Sequence, residues 1–396
     1  MSGIREAGAR LIAAAARRCR GRRELTGAAA ALLIVCGTVT FSAQIRRPTT
    51  RPAAPPATRH PPLKAIFEPV SFAQDAELND VFFVDAATGW ACGRRGTQGD
   101  EGFIAATRDG GRTWAVQFVA PASPKPGVAR LFFVDATHGW ATQSDGTLLR
   151  TTDGSSWARS GDVHAPGPFV FISPDKGFLL DDHRNIQITA DGGYTWTTAY
   201  HCRAITGVAG LTHEQDCEPE AIAFAPDGAT GYVITRALDD HASAVIKTAD
   251  GGATWTMTSL IPETNGKDGA VSFVDPVIGY LRAGGVLMAT PDGGQTWHAV
   301  DARVPDGAPK IQFAGTVGWM IGGKDFSFTL DGARRWNARK VDFPSPVVSF
   351  SVPVPDTGYV VGRHAMVYRY RVVPFDYTAP QLITVPGMTT FLAGPR

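Results

Sequence analysis

One string of eight residues recurs along the chain and constrains its fold more than any other feature. It reads TADGGYTW at 189–196, and close copies stand at 107–114, 248–255 and 290–297. Looser copies stand at 151–157 (TTDGSSW) and 329–336 (TLDGARRW). An Asp-Gly pair between two extended segments is a tight-turn signal, because Gly adopts a positive φ without steric cost. The strings therefore predict a series of similar strand–turn–strand units.

A second pattern precedes these strings and occurs seven times. It is an apolar run with an aromatic residue, then a short turn, then Gly followed by another aromatic residue, as in VFFVDAATGW at 81–90. The aligned aromatic residues lie 37 to 53 positions apart: Phe83, Phe133, Phe171, Phe224, Phe273, Phe313 and Phe350. Repeats of this length made of short strands predict an all-β, seven-bladed β-propeller over about residues 80–370, with four antiparallel strands per blade. A six-bladed ring with an extra hairpin is the alternative.

The seventh unit has no Asp-Gly string and runs into HAMVYRYRVVP at 364–374. A ring has to be closed, because otherwise two sheet edges stay open. The segment AIFEPVSFA at 65–73 precedes the first unit. We therefore expect it to supply the missing outer strand, so that the last blade is built from both ends of the chain.

The Asp-Gly strings are interpreted as structural turns. Each carboxylate is expected to accept hydrogen bonds from its own turn, and each Trp to cover the gap between neighbouring blades. The six carboxylates are Asp109, Asp153, Asp191, Asp250, Asp292 and Asp331. An EF-hand calcium loop would need further oxygen ligands and a late Glu, which these strings lack. Sugar stacking by the Trp side chains is the alternative function.

The first 60 residues differ from the rest. A basic head at 1–26 precedes an apolar segment at 27–45, a Pro-rich linker at 46–63, the propeller at 64–374 and a C-terminal tail at 375–396. This order is typical of a signal peptide or an N-terminal anchor helix. Since a positive head stays in the cytoplasm, we expect the propeller outside the inner membrane, in the periplasm or beyond. Cleavage to a secreted form is the alternative to an uncleaved anchor.

Two cysteines, Cys202 and Cys217, flank one long connection. In an oxidising compartment they are expected to form a disulfide. The alternative is a zinc site that also uses His201 and His213, although this spacing fits no common zinc pattern. Apart from that alternative the sequence suggests no metal and no cofactor.

Strand direction divides the ring into two faces. The turns between strands one and two and the Asp-Gly strings share one face, which we call the Asp-Gly face. The opposite face, which we call the loop face, carries the second-to-third loops and the connections between blades. Variable loops on a repeated scaffold are the usual place for binding. The binding candidates assigned to the loop face are Arg94, Arg95, His183, Arg184, Arg236, His241, Arg282, Lys324, Arg363 and His364.

The strings resemble the Asp-box (BNR) repeat, S/T-x-D-x-G-x-T-W, of sialidases, sortilin-type receptors and xyloglucan-active glycosidases. The full unit is most similar to the photosystem II assembly and stability factor family. That resemblance implies a seven-bladed propeller that is not an enzyme and that binds a membrane protein or complex.

A carbohydrate-active enzyme or a lectin is the alternative function. The Tyr residues that a sialidase nucleophile would need, Tyr232, Tyr280 and Tyr359, stand at the repeated Gly-aromatic position and are interpreted as core. Glu220 is the acid on the best-placed loop, but no second carboxylate pairs with it clearly. A net charge of +1 gives no case for nucleic acid as a partner. We expect a monomer.

Overall fold

The structure is a computed structural model and describes residues 63–72, 75–96, 101–120, 127–163, 167–208, 211–236, 242–262, 269–283 and 285–374, together with two short strands near the C-terminus. All of the described residues belong to one compact unit, His60–Arg396. The predicted basic head, anchor helix and most of the Pro-rich linker lie outside the described residues. In the described part, no helix is long and apolar enough to cross a bilayer.

Seven four-stranded antiparallel sheets make up the fold, as the repeat predicts. Strand β1 (Leu63–Pro69) comes first in the chain. Blade 1 consists of β2 (Ala76–Phe83), β3 (Gly89–Arg95), β4 (Glu101–Thr107) and β5 (Ala115–Val119). Blade 2 consists of β6 (Val128–Phe133), β7 (Gly139–Gln143), β8 (Thr147–Thr151) and β9 (Ala158–Asp162). Blade 3 consists of β10 (Phe169–Phe171), β11 (Gly177–Leu180), β12 (Asn185–Thr189) and β13 (Thr197–His201). A separate hairpin, β14 (Arg203–Val208) and β15 (Leu211–Asp216), follows blade 3.

The remaining blades continue in the same order along the chain. Blade 4 consists of β16 (Pro219–Phe224), β17 (Gly231–Thr235), β18 (Ala242–Thr248) and β19 (Thr256–Pro262), and blade 5 of β20 (Ala270–Phe273), β21 (Gly279–Ala283), β22 (Val286–Thr290) and β23 (His298–Ala299). Blade 6 consists of β24 (Gln312–Ala314), β25 (Val317–Gly322), β26 (Asp325–Thr329) and β27 (Asn337–Lys340). Blade 7 contains β28 (Val347–Val354), β29 (Thr357–Gly362) and β30 (Val367–Pro374). The predicted C-terminal tail contains a short hairpin, β31 (Gln381–Ile383) with β32 (Phe391–Ala393).

The seventh blade is closed by the N-terminal strand, as predicted. Strand β1 pairs antiparallel with β30 from Leu63 opposite Pro374 to Pro69 opposite Tyr368, so the sheet order is β1-β30-β29-β28. The closing strand starts and ends a few residues earlier than the 65–73 expected from the sequence. The six-bladed alternative is wrong, because this seventh sheet is complete.

Aromatic ring pairs join each blade to the next, and all are stacked except the pair between blades 6 and 7, whose planes are tilted by 36°. The second-strand aromatic residue of one blade lies against the aligned Phe of the following blade. The ring-centroid distances are 3.6 Å for Trp90–Phe133, 3.6 Å for Trp140–Phe171, 4.7 Å for Phe178–Phe224, 3.7 Å for Tyr232–Phe273, 4.4 Å for Tyr280–Phe313, 6.3 Å for Trp319–Phe350 and 3.5 Å for Tyr359–Phe83. The Gly before each aromatic has a steric reason: a Cβ on Gly139 would lie 2.2 Å from the Phe133 ring. The repeated Gly-aromatic pair is therefore a packing device.

The hairpin after blade 3 is held at its base by a disulfide between Cys202 and Cys217, whose Cα atoms are 5.1 Å apart. Both cysteines are buried. The predicted pairing is therefore confirmed, and the zinc alternative is wrong because both sulfurs are bonded to each other. The hairpin itself is an additional two-stranded sheet that the repeat pattern does not predict.

We expect the double variant Cys202→Ser/Cys217→Ser to be about 3 kcal/mol less stable than the oxidised protein, the entropy of closing a loop of this size in the unfolded chain. Urea unfolding with and without a reductant measures this loss. The reductant should destabilise the unsubstituted protein to the level of the double variant, while leaving the double variant unchanged. Identical midpoints in all four samples would show that the disulfide does not restrain the unfolded chain.

Candidate functional site

On the Asp-Gly face, each of the six repeated carboxylates accepts hydrogen bonds from groups of its own turn. In the first blade, Asp109 accepts hydrogen bonds from the Thr113 hydroxyl at 2.6 Å, the Thr113 amide at 2.9 Å and the Thr107 hydroxyl at 2.9 Å. The turn is tied to the neighbouring first-to-second turn, where the Gly110 amide donates to the Ala87 carbonyl at 2.8 Å. Asp191, Asp250 and Asp292 make the same set of bonds to their own Thr residues. Asp153 and Asp331 accept bonds from nearby groups of their turns.

The Trp residues of these turns face the protein. Each packs edge-on against the aligned Phe of its own blade, with centroid distances of 5.8–6.4 Å. Five of the indole nitrogens are buried without a hydrogen-bond partner among the described residues: those of Trp114, Trp196, Trp255, Trp297 and Trp336. Such rings fill gaps in the core and do not present a stacking platform to a sugar.

The hydrogen bonds of the turns predict a loss of stability in acid. The Thr hydroxyls and amides that bind the carboxylates lower the pKa of Asp109, Asp191 and Asp292 from 3.8 to about 2. Because the unfolded chain then binds more protons than the folded one, the stabilisation is complete above the unfolded pKa and is lost as the pH falls through the folded pKa. We expect the urea midpoint to be insensitive to these groups above about pH 5 and to drop between about pH 4 and 2. Asp109→Asn should flatten that drop, and an unchanged profile would contradict the assignment.

On the loop face, most of the binding candidates contact carboxylates. Four form ion pairs: Arg95–Glu101 at 3.3 Å, Arg184–Asp216 at 3.3 Å, Arg236–Glu218 at 2.7 Å and Lys324–Asp342 at 2.7 Å. Two His rings also contact carboxylates: His183–Asp182 at 2.8 Å and His364–Glu77 at 3.0 Å. Arg94 is exposed and packs against Gly127. Arg363 is exposed, and His241 lies outside the described residues. These candidates therefore line a rim of paired charges and do not converge on one cationic patch.

Arg282 does not lie in a loop. It is in strand β21, is only 4% exposed and donates its Nη2 to the Ala308 carbonyl at 2.8 Å. Arg282 stands near the end of β21 next to the second-to-third connection of blade 5, and Ala308 lies in the connection between blades 5 and 6, so both are on the side that defines the loop face. The burial of Arg282 against this distant segment is a feature that no local pattern reveals.

The three repeated Tyr residues are core groups, as predicted. Tyr232, Tyr280 and Tyr359 donate their hydroxyls to carbonyls of the following blade at 2.7, 3.0 and 2.6 Å. Burial raises the pKa of all three, to about 12 for Tyr359. They are packing groups whose hydroxyls join neighbouring blades, and their raised pKa values make them poor nucleophiles.

The sequence reasoning missed the central channel, which the first strands of the blades line. A cavity of about 730 Å³ opens there between blades 1, 2, 3, 6 and 7. Its charged residues are Asp80, Arg130 and Lys310, and each stands three positions before an aligned Phe. At that position the other four units have Pro168, Ala221, Ala270 and Val347, so a comparison across units would have revealed the charged residues.

Asp80 joins the blades around this cavity. Its carboxylate accepts hydrogen bonds from the Leu131 amide of blade 2 at 2.9 Å and the Ser349 hydroxyl of blade 7 at 2.6 Å. The Lys310 Nζ lies 3.9 Å away, which is too long for a hydrogen bond. Burial lowers the pKa of Lys310, the charge of Asp80 opposes that effect, and the charge of Arg130 reinforces it.

The rest of the lining is aromatic on one side and polar on the other. Phe82, Phe132 and Phe169 come from blades 1, 2 and 3. The centroid of the Phe132 ring lies 5.5 Å from that of Phe82 and 6.2 Å from that of Phe169. Gln312 and Ser349 come from blades 6 and 7. A second cavity of about 510 Å³, lined mostly by apolar residue types, also touches Phe82 and Phe132. The channel therefore combines cations, hydrogen-bonding groups and an apolar wall.

Comparisons with known proteins agree with this architecture. The family model for photosynthesis system II assembly factor YCF48 matches residues 164–304, which comprise blades 3 to 5 and the disulfide-bonded hairpin. No curated protein matches the chain.

Solved structures with the same fold include YCF48 bound to a D1 peptide, which is 18% identical with a TM-score of 0.54 and covers 78% of this chain and 97% of its own. YCF48 from Cyanidioschyzon merolae is 18% identical with a TM-score of 0.56, covering 77% and 98%. The WD40 propeller domain of Doa1 is 10% identical with a TM-score of 0.50, covering 76% and 94%. The chain is therefore a seven-bladed propeller, and its residues 164–304 are similar to the photosystem II assembly factor family.

Proposed function

We propose that this chain is a non-catalytic propeller that binds a protein partner and assists the assembly or stability of a membrane protein complex. The observation that carries the proposal is the match of blades 3 to 5 to an assembly-factor family. A propeller of the same fold has been solved with a peptide of D1 bound to it. Binding of a polypeptide is therefore the function we extend to this chain.

The surface chemistry supports binding without catalysis. The carboxylates of the Asp-Gly face are held by their own turns, and the repeated Tyr hydroxyls are bonded to backbone carbonyls. A sialidase grips a carboxylate with three Arg side chains. Two of the candidates for this role in the present chain, Arg184 and Arg236, are already paired with Asp216 and Glu218. A third, Arg282, is buried against a carbonyl. Because these hydrogen bonds and ion pairs already occupy the candidate catalytic groups, they favour a binding role over the glycosidase alternative.

Affinity capture tests the protein-binding role. The full chain with a C-terminal tag, produced in its own host and cross-linked before detergent extraction, should recover specific membrane proteins. The matched control is the same chain with Gly139→Trp, which cannot hold the stack between blades 1 and 2 because even a Cβ would collide with Phe133. Recovery of the same proteins by the control, or of none by the unsubstituted chain, would remove support for the proposal.

A panel of chromogenic glycosides and a glycan array test the enzyme and lectin alternative. We expect no turnover and no glycan binding. Turnover that Glu220→Gln abolishes would instead establish a glycosidase.

The proposal includes an extracytoplasmic location for the propeller. It is supported by the order of segments in the sequence: a basic head, then an apolar segment, then a Pro-rich linker. Alkaline phosphatase fused after residue 62 should be active only if the apolar segment 27–45 is present, because the enzyme needs disulfides that form outside the cytoplasm. Equal activity with and without that segment would contradict the location.

A further inference from the structure

We propose that the central channel is a peptide-binding site that takes a carboxylate next to an apolar side chain, with Arg130 and Lys310 as its anion-binding groups. This inference rests on the proposed function, since it names where and how the chain would hold its protein partner. None of these residues lies within the segment that the family model matches.

The charges of the cavity are unbalanced. Asp80 is occupied by the Leu131 amide and the Ser349 hydroxyl, and it also accepts a hydrogen bond from the Val81 amide at 2.9 Å. Lys310 has only the longer 3.9 Å contact to that carboxylate. For Arg130, the described residues offer no hydrogen bond or ion pair, and its side chain is exposed to the channel. Among the described residues of the lining, two cations and one hydrogen-bonded carboxylate therefore leave a surplus positive charge.

The two cations are poised for an anion that enters from solvent. The Lys310 side chain keeps 32% of its surface accessible, and its Nζ lies 5.4 Å from the centroid of the Phe350 ring of blade 7. A partly desolvated cation binds an anion more strongly than one in bulk water, because the surrounding dielectric is lower. Arg130 comes from blade 2 and Lys310 from the segment that leads into blade 6, and both line this cavity. Guanidinium and ammonium groups that line one cavity can both donate to a single carboxylate.

The apolar wall specifies what accompanies the anion. Phe82, Phe132 and Phe169 remain half-buried, whereas the aligned Phe83 and Phe133 next to them are only 3% exposed. The half-buried rings can therefore pack against an apolar side chain of a bound peptide. Gln312 of blade 6 and Ser351 of blade 7 line the same cavity and can form hydrogen bonds. A cavity of about 730 Å³ lies within the ~300–1,000 Å³ range of small-ligand sites, so it suits a few residues of an extended segment.

The carboxylate has two possible sources, an acidic side chain or a free chain terminus, and matched peptides distinguish them. The probes are fluorescent, acetylated and amidated hexapeptides in which one Glu stands between Leu and Phe, their Gln counterparts, and peptides that end in Leu-Phe with a free carboxylate. Fluorescence anisotropy with the full chain in detergent measures binding. We expect the Glu peptides or the free-terminus peptides to bind, and the neutral peptides to bind at least about tenfold more weakly, as for loss of a hydrogen bond to a charged group.

Substitutions test the assigned residues. Arg130→Gln should weaken binding about tenfold without changing the unfolding midpoint, because no described group depends on this side chain. The matched control is Arg334→Gln, an exposed Arg of the Asp-Gly face, which should leave binding unchanged. Lys310→Gln should also weaken binding; if it lowers the unfolding midpoint, Arg130→Gln alone decides the result.

Three outcomes would overturn the inference: no acidic peptide binds, acidic and neutral peptides bind equally, or Arg130→Gln binds as well as the unsubstituted chain. Arg130-dependent binding of inorganic phosphate or anionic lipid vesicles without peptide binding would replace the peptide with another anion. Failure here is distinct from failure of the proposed function. If affinity capture still recovers membrane proteins with Arg130→Gln, the channel assignment falls and the binding function stands; if the unsubstituted chain captures nothing, the function falls.

Discussion

A variant of this chain that begins at residue 75 is expected to lose the cooperative unfolding transition that a variant beginning at residue 60 retains. The shorter variant lacks β1, which pairs with β30 along seven residues. It also lacks Phe67, whose ring centroid lies 5.2–6.0 Å from those of Trp319, Phe326, Phe343 and Tyr370. Deleting one buried aromatic side chain costs about 3–5 kcal/mol, against a total stability of ~5–15 kcal/mol for a domain.

The missing strand also leaves the β30 edge open, so the shorter variant should associate through it. Urea unfolding followed by Trp fluorescence, with size-exclusion chromatography, measures both effects. A synthetic peptide of residues 60–72 added in trans should restore the transition, and the same peptide with Phe67→Ala should not. Equal midpoints for the two variants would show that the ring is stable without its closing strand.

The repeat is the reason that the fold could be predicted from the sequence. Seven aligned units fix the number of blades, and a unit without its outer strand requires one from elsewhere. The disulfide was predictable for a similar reason, since Cys202 and Cys217 flank one connection. The blade count and the disulfide depend on residues whose partners lie within one unit or at its edge, whereas the closing strand is inferred from what the seventh unit lacks.

The candidate site was less predictable because its contacts link distant parts of the chain. Arg184 forms an ion pair with Asp216 of the β14–β15 hairpin, and the local sequence around Arg184 does not predict this pair. The channel was missed because its charged residues occupy a position of the repeat that otherwise holds apolar or small groups. Asp80, Arg130 and Lys310 become neighbours only when the ring closes and brings blades 6 and 7 next to blade 1. Repetition therefore predicts the scaffold, and departures from repetition indicate where to look for binding.

The interblade stacks give the second large effect. Trp140 is fully buried, lies parallel to Phe171 at 3.6 Å and donates its indole N–H to the Gly192 carbonyl at 2.9 Å. Trp140→Ala should therefore lower the free energy of unfolding by about 3–5 kcal/mol, because it removes the stack and leaves a cavity. Urea unfolding at constant pH measures the change. Tyr194→Ala is the matched aromatic control: Tyr194 is 57% exposed, so the shift should stay within about 0.5 kcal/mol.

Trp140→Phe separates the stack from the hydrogen bond. The next blade already carries Phe at the aligned position, where Phe178 stacks on Phe224 at 4.7 Å without donating a hydrogen bond. The Phe variant should therefore keep most of the stability and lose only about 1 kcal/mol for the missing bond to Gly192. If Phe is as damaging as Ala, the hydrogen bond to the Asp-Gly turn holds the blades together. If Ala is as mild as the Tyr194 control, cohesion of the ring comes from the strand pairing within blades and from the closing strand β1.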